Sequence, residues 1–484
     1  MMKPWMPLAV LISCLGAAPA FAADPADSDA RALRQQVDDL RRRLDNLEKG
    51  KPPRSEEKPA VKVPQTKAAP FAFADFSWLN GNSRVTDPMI DNDWFTGQFM
   101  VDVNYTYSFN KPKDHTIDGA CEVGRHNEVQ LQQLGVGGDL HYGNIRGRLM
   151  TQFGLYSTMT PRNDSSPSRG QWQLENAYRY ISEGYGGYHW DVLHGVNLDA
   201  GIFMSYVGLF SYYQNENWAY TPSYVSANTP WFFNGLRLQV FPTDKLKIEP
   251  WVTNGFQTYG KQTEDPGIGT QILYRPYGWL SLLSNNYWGH DTQGNSRRQR
   301  WHTDDSVEVK YYDSPKSEFS KAAFSVTVDA GCEEGGGVSC WGSGDRPKQD
   351  FLGFMVYNRA WFHQNLFGLT LGGGSIFNPG RYLVLLPPIN GATASTGSPY
   401  FTQSPGDRFT AWDCSVTADY MPSQYITWRA EYNHRQANVP YFAGQGGMTP
   451  AGGNTGTPAT AVPGFTPDLR RSENRVTLAM LVRL

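Results

Sequence analysis

Long segments of this chain alternate between apolar and polar residues. In residues 95–110, Phe99, Val101 and Val103 share one face, whereas Asp102 and Asn104 share the other. Because successive side chains of a β-strand point to opposite faces, this pattern predicts strands that are apolar on one side and polar on the other. Sixteen such segments lie between turn signals, at 95–109, 128–141, 145–157, 171–181, 196–204, 231–241, 246–256, 267–277, 280–289, 300–312, 319–331, 350–363, 366–378, 407–420, 425–435 and 473–484.

The connections between these segments fall into two lengths. Short ones include 142–144, 242–245, 364–365 and 422–424, and long polar ones include 110–127, 158–170, 205–230, 332–349, 379–406 and 436–472. Transmembrane barrels have this asymmetry, with short turns at one end and long loops at the other. Several segments run for 10 to 15 residues, whereas strands of soluble sheets usually have about five or six.

These patterns predict an all-β fold, a transmembrane antiparallel β-barrel of about sixteen strands, within a range of about 14 to 18. Closure leaves no sheet edge and satisfies every backbone group inside lipid. Sixteen strands would enclose an aqueous channel, with apolar faces toward lipid and polar faces toward water. The final alternating strand, which ends at Leu484, resembles the terminal signal read by the outer-membrane insertion machinery, although members of that class more often end in Phe.

The N-terminus carries a targeting pattern. Residues 1–22 have an apolar core followed by an Ala-x-Ala site. We therefore expect a signal peptide that is cleaved after Ala22, and export to the outer membrane of a Gram-negative bacterium. The alternative is a lipoprotein box that ends at Cys14.

Two more segments precede the predicted barrel of residues 95–484. Within residues 23–50, apolar residues repeat at Leu33, Val37, Leu40, Leu44 and Leu47. This heptad seam predicts a periplasmic coiled coil that joins three copies of the chain through residues 31–49; the alternative is a solvated amphipathic helix. Residues 51–94 form a Pro- and Lys-rich linker with an irregular lead-in to the first strand.

Composition narrows the choice of function. A net charge of −3 gives no reason to expect a nucleic-acid partner, and a mean hydropathy of −0.50 is too polar for a bundle of membrane helices. Cys332 and Cys340 lie in a Gly-rich stretch and are candidates for a disulfide in an oxidising compartment. Their spacing fits no zinc finger or ribbon. Whether Cys121 and Cys414 pair remains open.

The sequence contains no G-x-S-x-G, H-E-x-x-H or Walker A motif, so we expect no enzymatic activity and no cofactor or metal. Charged residues on the polar faces should line the lumen, because Arg or Lys facing mid-membrane lipid costs about 2–4 kcal/mol. They are Asp102, Arg146, Arg148, Arg237, Lys247, Glu249, Asp304, Glu308, Lys310, Arg429, Glu431, Arg475 and Arg483. We interpret them as opposing acidic and basic patches that filter solutes; the alternative is generic polar lining. The arginines favour anions slightly.

The segment 205–230 is long, aromatic and poor in charge. An exposed loop of this composition is unusual unless something covers it. We expect it to fold into the lumen as a constriction that includes Gly208, Asn217, Trp218, Ser223 and Pro230. The alternative is a surface loop or an oligomer contact.

A family resemblance covers residues 174–237. Its pieces are Leu174 to Tyr178, Asp199 to Phe203, Gly208, Asn217-Trp218, Ser223, Pro230 and Gly235 to Arg237. They resemble the OmpL-like β-barrel outer-membrane porin family. Members tend to carry an acid shortly after the position of Gly208, where this chain has Phe210. The resemblance implies a porin-like channel, embedded in outer-membrane lipid, for passive diffusion of small hydrophilic solutes. The alternative is a structural or adhesive barrel that presents long surface loops, such as 444–467.

Overall fold

The computed structural model describes residues 36–38, 40–42, 45, 69–166, 170–342, 345–402, 404–455 and 457–484. The described residues before position 69 are helical. The predicted signal peptide, its cleavage site at Ala22 and most of the coiled-coil and linker segments lie outside the described residues. None of the described helices is long and apolar enough to cross a membrane.

Sixteen antiparallel strands form one closed sheet, as the alternation predicted, and a two-residue strand, Asp91–Asn92, pairs with the start of the first of them. In chain order they are β1 (Phe95–Ser108), β2 (Val129–Tyr142), β3 (Ile145–Thr151), β4 (Ile181–Trp190), β5 (Val196–Met204), β6 (Phe232–Thr243), β7 (Leu246–Thr253), β8 (Gly267–Tyr277), β9 (Leu280–Gly289), β10 (Gln299–Asp313), β11 (Phe319–Glu334), β12 (Asp350–Phe362), β13 (Phe367–Asn378), β14 (Phe409–Ser423), β15 (Ile426–Ala437) and β16 (Ser472–Arg483). Each strand pairs with its neighbours in sequence.

The first and last strands close the ring. β16 pairs with β1, with Arg475 opposite Ser108 and Arg483 opposite Met100. At the chain end, the Leu484 amide donates to the Phe99 carbonyl at 2.9 Å, and the Phe99 amide donates back at 3.2 Å. Closure thus gives every strand two neighbours, which removes the edges that an open sheet would expose.

The two faces of the barrel have opposite chemistry. Along β14, outward-facing Trp412, Val416 and Tyr420 are exposed, whereas inward-facing Asp413 and Asp419 are buried. In β1, Phe99 is likewise exposed and Asp102 and Asn104 are buried. An apolar outer surface around a polar interior reverses the arrangement of a soluble sheet and matches a barrel that faces lipid.

The two ends of the barrel differ as the connection lengths predicted. Short turns such as 143–144, 244–245, 278–279 and 424–425 share one end, and the loops 109–128, 152–180, 205–231, 254–266, 290–298, 335–349, 379–408 and 438–471 share the other. At the short-turn end, Tyr277 stacks on Trp279 with ring centroids 5.3 Å apart, and Tyr312 stacks on Phe319 at 4.6 Å. Such aromatic rows are typical of the membrane interface.

Two predicted strands were placed incorrectly. The segment 171–181 contains a short helix, α2 (Leu174–Tyr178), and the fourth strand follows it. The third strand ends at Thr151, and the chain continues into α1 (Tyr156–Met159). Glycines hide the alternation of β4. A Cβ at Gly187 would lie 2.1 Å from Asp199 Oδ1, so this inward position excludes the side chain that would have marked the strand.

Candidate pore constriction

The connection between β5 and β6 folds into the barrel. We call residues 205–230 the lumen loop. Every residue from 217 to 230 is buried, and the loop contains a one-turn helix, α3 (Tyr224–Ala227). Residues 216–224 of the loop contact inward-facing side chains of β1, β12, β14, β15 and β16, as the hydrogen bonds and ion pairs below show.

Two wall carboxylates hold the backbone of the lumen loop. Glu431 accepts hydrogen bonds from the amides of Tyr220 at 2.6 Å and Thr221 at 2.9 Å. Asp413 accepts from the Ser223 hydroxyl at 2.7 Å and from the Tyr224 amide at 2.9 Å. These bonds satisfy amides that the irregular chain would otherwise bury without partners.

Three wall arginines hold carbonyls of the same loop. Arg429 donates to the Asn217 carbonyl at 2.7 Å, Arg359 to the Trp218 carbonyl at 3.2 Å, and Arg435 to the Pro222 carbonyl at 2.8 Å. Arg429 and Arg359 are themselves paired with Asp419, each at 2.7 Å. The barrel wall therefore fixes both the donors and the acceptors of the loop backbone.

Aromatic side chains fill the space between the loop and the wall. The rings of Phe210 and Tyr357 lie 5.0 Å apart, and those of Trp218 and Trp361 lie 5.7 Å apart. Tyr220 donates to Asp102 Oδ1 at 2.9 Å. Burial, and then the nearby Asp102, raise the pKa of Tyr220 well above its usual value, so its hydroxyl keeps the proton that it donates.

The lead-in, residues 69–90, crosses the short-turn end of the barrel. The Phe71 amide donates to the Asp244 carbonyl in the β6–β7 turn at 2.7 Å. Arg84 donates to the Ser423 carbonyl at the β14–β15 turn at 2.6 Å. These two turns lie half the ring apart, so the lead-in spans the mouth along a diameter.

Between these anchors the lead-in enters the lumen. Trp78 and Leu79 are each 1% exposed. The Asn80 side chain accepts from the Trp218 amide at 2.7 Å, and the Asn80 amide donates to Glu308 at 2.8 Å. The Trp218 indole donates to the Trp78 carbonyl at 3.1 Å. The lead-in and the lumen loop therefore meet inside the barrel.

Two cavities lie on either side of the end of the lumen loop. The outer cavity, of about 320 Å³, is lined by the long loops 152–180, 254–266, 290–298 and 379–408. The inner cavity, of about 280 Å³, is lined by the lead-in and by wall residues near the short turns, including Lys247, Arg275 and Glu308. Thr229 and Trp231 border both cavities.

Most predicted lumen charges are ion-paired with near neighbours. Arg146 and Arg237 share Asp199, at 3.2 and 2.8 Å, and Lys247 pairs with Glu249 at 2.8 Å. The other pairs are Arg148 with Glu183 and Asp139, Lys310 with Asp313, Arg475 with Glu473, and Arg483 with Glu216. Positive and negative groups are thus interleaved along the wall. Asp304 is fully buried and accepts from Asn285 at 3.4 Å.

Two further residues predicted for the constriction shape the ends of the loop. Gly208 has a φ of +107°, a conformation that side chains rarely adopt, and a Cβ there would lie 3.3 Å from Thr229 Oγ1. Pro230 is buried next to Trp231. Glycine thus lets the start of the loop approach its end.

Two of the cysteines in the described part of the chain are paired, and two are free. Cys332, the third residue from the end of β11, forms a disulfide with Cys340. In the described part of the chain, Cys121 and Cys414 are both free; Cys121 is buried and Cys414 is exposed. Within that same part, no three His, Cys, Asp or Glu side chains are grouped as a metal site requires.

A protein-family model described as "Putative beta-barrel porin-2, OmpL-like" matches residues 94–463. The match covers more than half of the chain and all but the last barrel strand. The chain belongs to this OmpL-like β-barrel porin family. It is thus an outer-membrane β-barrel porin with a channel for small solutes. No curated protein matches the porin in sequence.

The porin is also similar to solved structures of low sequence identity. An anion-selective porin from Comamonas acidovorans is 10% identical, with a TM-score of 0.48, and the match covers 81% of this chain and 99% of that one. The outer membrane channel DcaP of Acinetobacter baumannii is 13% identical, with a TM-score of 0.45 and coverages of 81% and 96%. OmpT of Vibrio cholerae, in a trimer form, is 9% identical, with a TM-score of 0.44 and coverages of 81% and 99%.

Sequence reasoning treated the lead-in of the porin only as a linker. A signal was present, because Phe71, Phe73, Phe76 and Trp78 follow a Pro- and Lys-rich stretch that contains no aromatic residue. Aromatic residues at such spacing need a surface to cover them. Asp419 and Arg359, whose side chains point inward and help to hold the lumen loop, were likewise missing from the predicted lumen charges. They lie on different strands, and the sequence does not show that they pair.

Proposed function

We propose that this porin is a passive-diffusion channel whose narrowest part is formed by the lumen loop and the lead-in. The observation that carries the proposal is the pair of cavities on either side of Thr229 and Trp231. A solute that enters between the long loops would occupy the outer cavity, pass these two residues and reach the inner cavity. From there it would leave beside Asn80.

The lining favours small hydrophilic solutes. Both cavities are lined by Asn, Gln, Thr or Ser side chains together with charged ones, so a polar solute exchanges water for protein hydrogen bonds. The cavity volumes of about 320 and 280 Å³ limit the size. In this proposal, the charged residues predicted to filter solutes act on a passing solute through the ion pairs along the barrel wall.

Planar-bilayer recording of the purified protein tests the channel. We expect stepwise currents in KCl and permeation of small sugars in liposome swelling. A barrel that inserts into the bilayer but stays sealed in both assays refutes the proposal. The reversal potential under a salt gradient measures the ion preference, for which the arginines of the wall favour anions.

We also propose export with cleavage after Ala22 and a homotrimer joined through residues 31–49. The support is the signal pattern and the heptad seam in the sequence. N-terminal sequencing of the mature protein tests the cleavage site. Crosslinking of the protein with and without residues 23–50 tests the trimer, and identical oligomers in both would reject a role for the coiled coil.

An adhesive function is the second candidate. The loop 438–471 supports it, because its described residues between 451 and 466 are mostly exposed Gly, Thr and Pro. Deletion of 451–466 separates the two functions. Lost surface binding with unchanged conductance favours adhesion, whereas a conductance that depends on the loop favours a role in the channel.

A further inference from the structure

Three arginines line the outer cavity. Arg298 comes from the loop 290–298, Arg300 from the start of β10, and Arg381 from the loop 379–408. The Arg300 side chain is 7% exposed and Arg298 is 17% exposed. With the carboxylates of Asp291 and Glu333, which also line this cavity of about 320 Å³, the three guanidinium groups give its lining one net positive charge, which favours an anionic solute.

The carboxylates of the same cavity are already occupied. Asp291 accepts from Arg300 Nε at 2.8 Å, from the Phe256 amide at 2.8 Å and from the Tyr287 hydroxyl. Glu333 accepts from the Thr292 hydroxyl and lies 3.2 Å from Arg300 Nη2 and 3.3 Å from Arg298 Nη1. These two acids therefore have little capacity left for cations.

The guanidinium groups retain unused donors. Among the residues that the structure describes, no acceptor is bonded to Arg298 Nε, Arg300 Nη1 or Arg381 Nε. The same holds for Asn163 Nδ2, on another loop that lines the cavity. Buried donors without acceptors are unfavourable, so the protein itself leaves part of the donor capacity of these three guanidinium groups unused.

From these observations we infer that the outer cavity is a binding site for small solutes that carry carboxylate or phosphate groups. Arg298, Arg300 and Arg381 would contact the anionic oxygens, because guanidinium groups match the planar geometry of these anions. This inference rests on the proposed channel function, because a solute would bind in the outer cavity on its way through the channel.

Isothermal titration of the full-length, detergent-solubilised protein tests the site directly. The probes are citrate, inorganic phosphate and, as the neutral comparison, glucose. The variants are Arg298→Gln and Arg381→Gln. Arg297→Gln is the matched control, because Arg297 is exposed, carries the same charge and does not line the cavity. Currents in KCl are recorded from each protein in parallel.

We expect citrate, phosphate or both to bind the unmodified protein, glucose not to bind, and each cavity variant to weaken binding at least about tenfold. Binding of citrate alone identifies carboxylates as the ligand group, and binding of phosphate alone identifies phosphates. Equal weakening by Arg297→Gln overturns the site. A protein that conducts KCl but binds neither anion overturns the binding site and leaves the channel proposal intact. A sealed barrel that still binds anions refutes the channel and leaves the binding site intact.

Discussion

Replacing Trp78 with Ala should release the lead-in from the lumen. The Trp78 side chain is 1% exposed and packs in one cluster with Leu79, Phe210 and Trp218. Truncation of a buried Trp to Ala typically costs about 3–5 kcal/mol. Since each 1.4 kcal/mol is a tenfold change in an equilibrium constant, docking of the lead-in would weaken by roughly 100- to 5,000-fold.

Two measurements follow the released lead-in. Single-channel recording should show a larger unitary conductance, because Trp78 and Asn80 no longer occupy the lumen. Trypsin should cleave faster after Arg84, which in the docked state donates to the carbonyls of Ser423 and Ile426. Phe73→Ala is the matched control, because the Phe73 ring is 39% exposed and contributes less buried area.

The outcomes separate docking from obstruction. Faster cleavage with unchanged conductance would show that the lead-in docks as described but does not narrow the channel. Unchanged cleavage and unchanged conductance would refute the packing argument itself. An equal response of Trp78→Ala and Phe73→Ala would mean that burial does not decide the docking free energy.

Three further predictions concern the loop anchor, the strand faces and pH. Glu431→Ala removes the acceptor of the Tyr220 and Thr221 amides and should lower the free energy of unfolding by about 1–3 kcal/mol per unpaired donor. We expect a lower thermal midpoint and noisier single-channel currents. Exposed Glu318→Ala is the control, and equal midpoints for the two variants would contradict the anchor. Val103→Lys places a charge on the lipid face at a cost of about 2–4 kcal/mol and should abolish the heat-modifiable gel shift of the folded barrel. Asp102→Asn, whose side chain can still accept from Tyr220, should retain the shift. The reverse result would mean that Asp102 faces lipid and Val103 faces the lumen. Burial raises the pKa of Glu122, in the loop 109–128, to about 7, so the folded protein binds a proton that the unfolded chain releases above about pH 4.5. The unmodified protein should therefore lose stability between pH 5 and pH 8 relative to Glu122→Gln, and parallel melting curves would show that Glu122 does not titrate in this range.

Strand prediction succeeded where side chains display the alternation and failed where they do not. In β14, every outward position from 412 to 420 carries a side chain whose polarity could be read. In β4, Gly184, Gly186 and Gly187 leave too few such positions. At Gly187 the reason is steric, because Asp199 on β5 occupies the space that a side chain would need.

The inward position of the charges could be predicted, but their pairing could not. Arg and Lys side chains are unfavourable on the lipid-facing surface of a strand. Since side chains alternate between the two faces, the apolar neighbours of a charged residue show that it points into the lumen. The partners depend on register between strands. Arg146 and Arg237 lie 91 positions apart in the chain and still share Asp199, a pairing that no local pattern in the sequence reveals.

The sequence by itself determined the barrel, because period-two alternation, strand length and the two classes of connection are local properties written into neighbouring residues. It also marked the lumen loop, since an aromatic segment with few charges needs a cover. Only the tertiary structure decided how the lumen is filled. The lead-in meets the lumen loop through Asn80 and Trp218, 138 residues apart, and Arg381 lines one cavity together with the distant Arg298 and Arg300. Contacts of this kind arise when the ring closes, because closure brings loops and wall strands together that have no proximity in the chain.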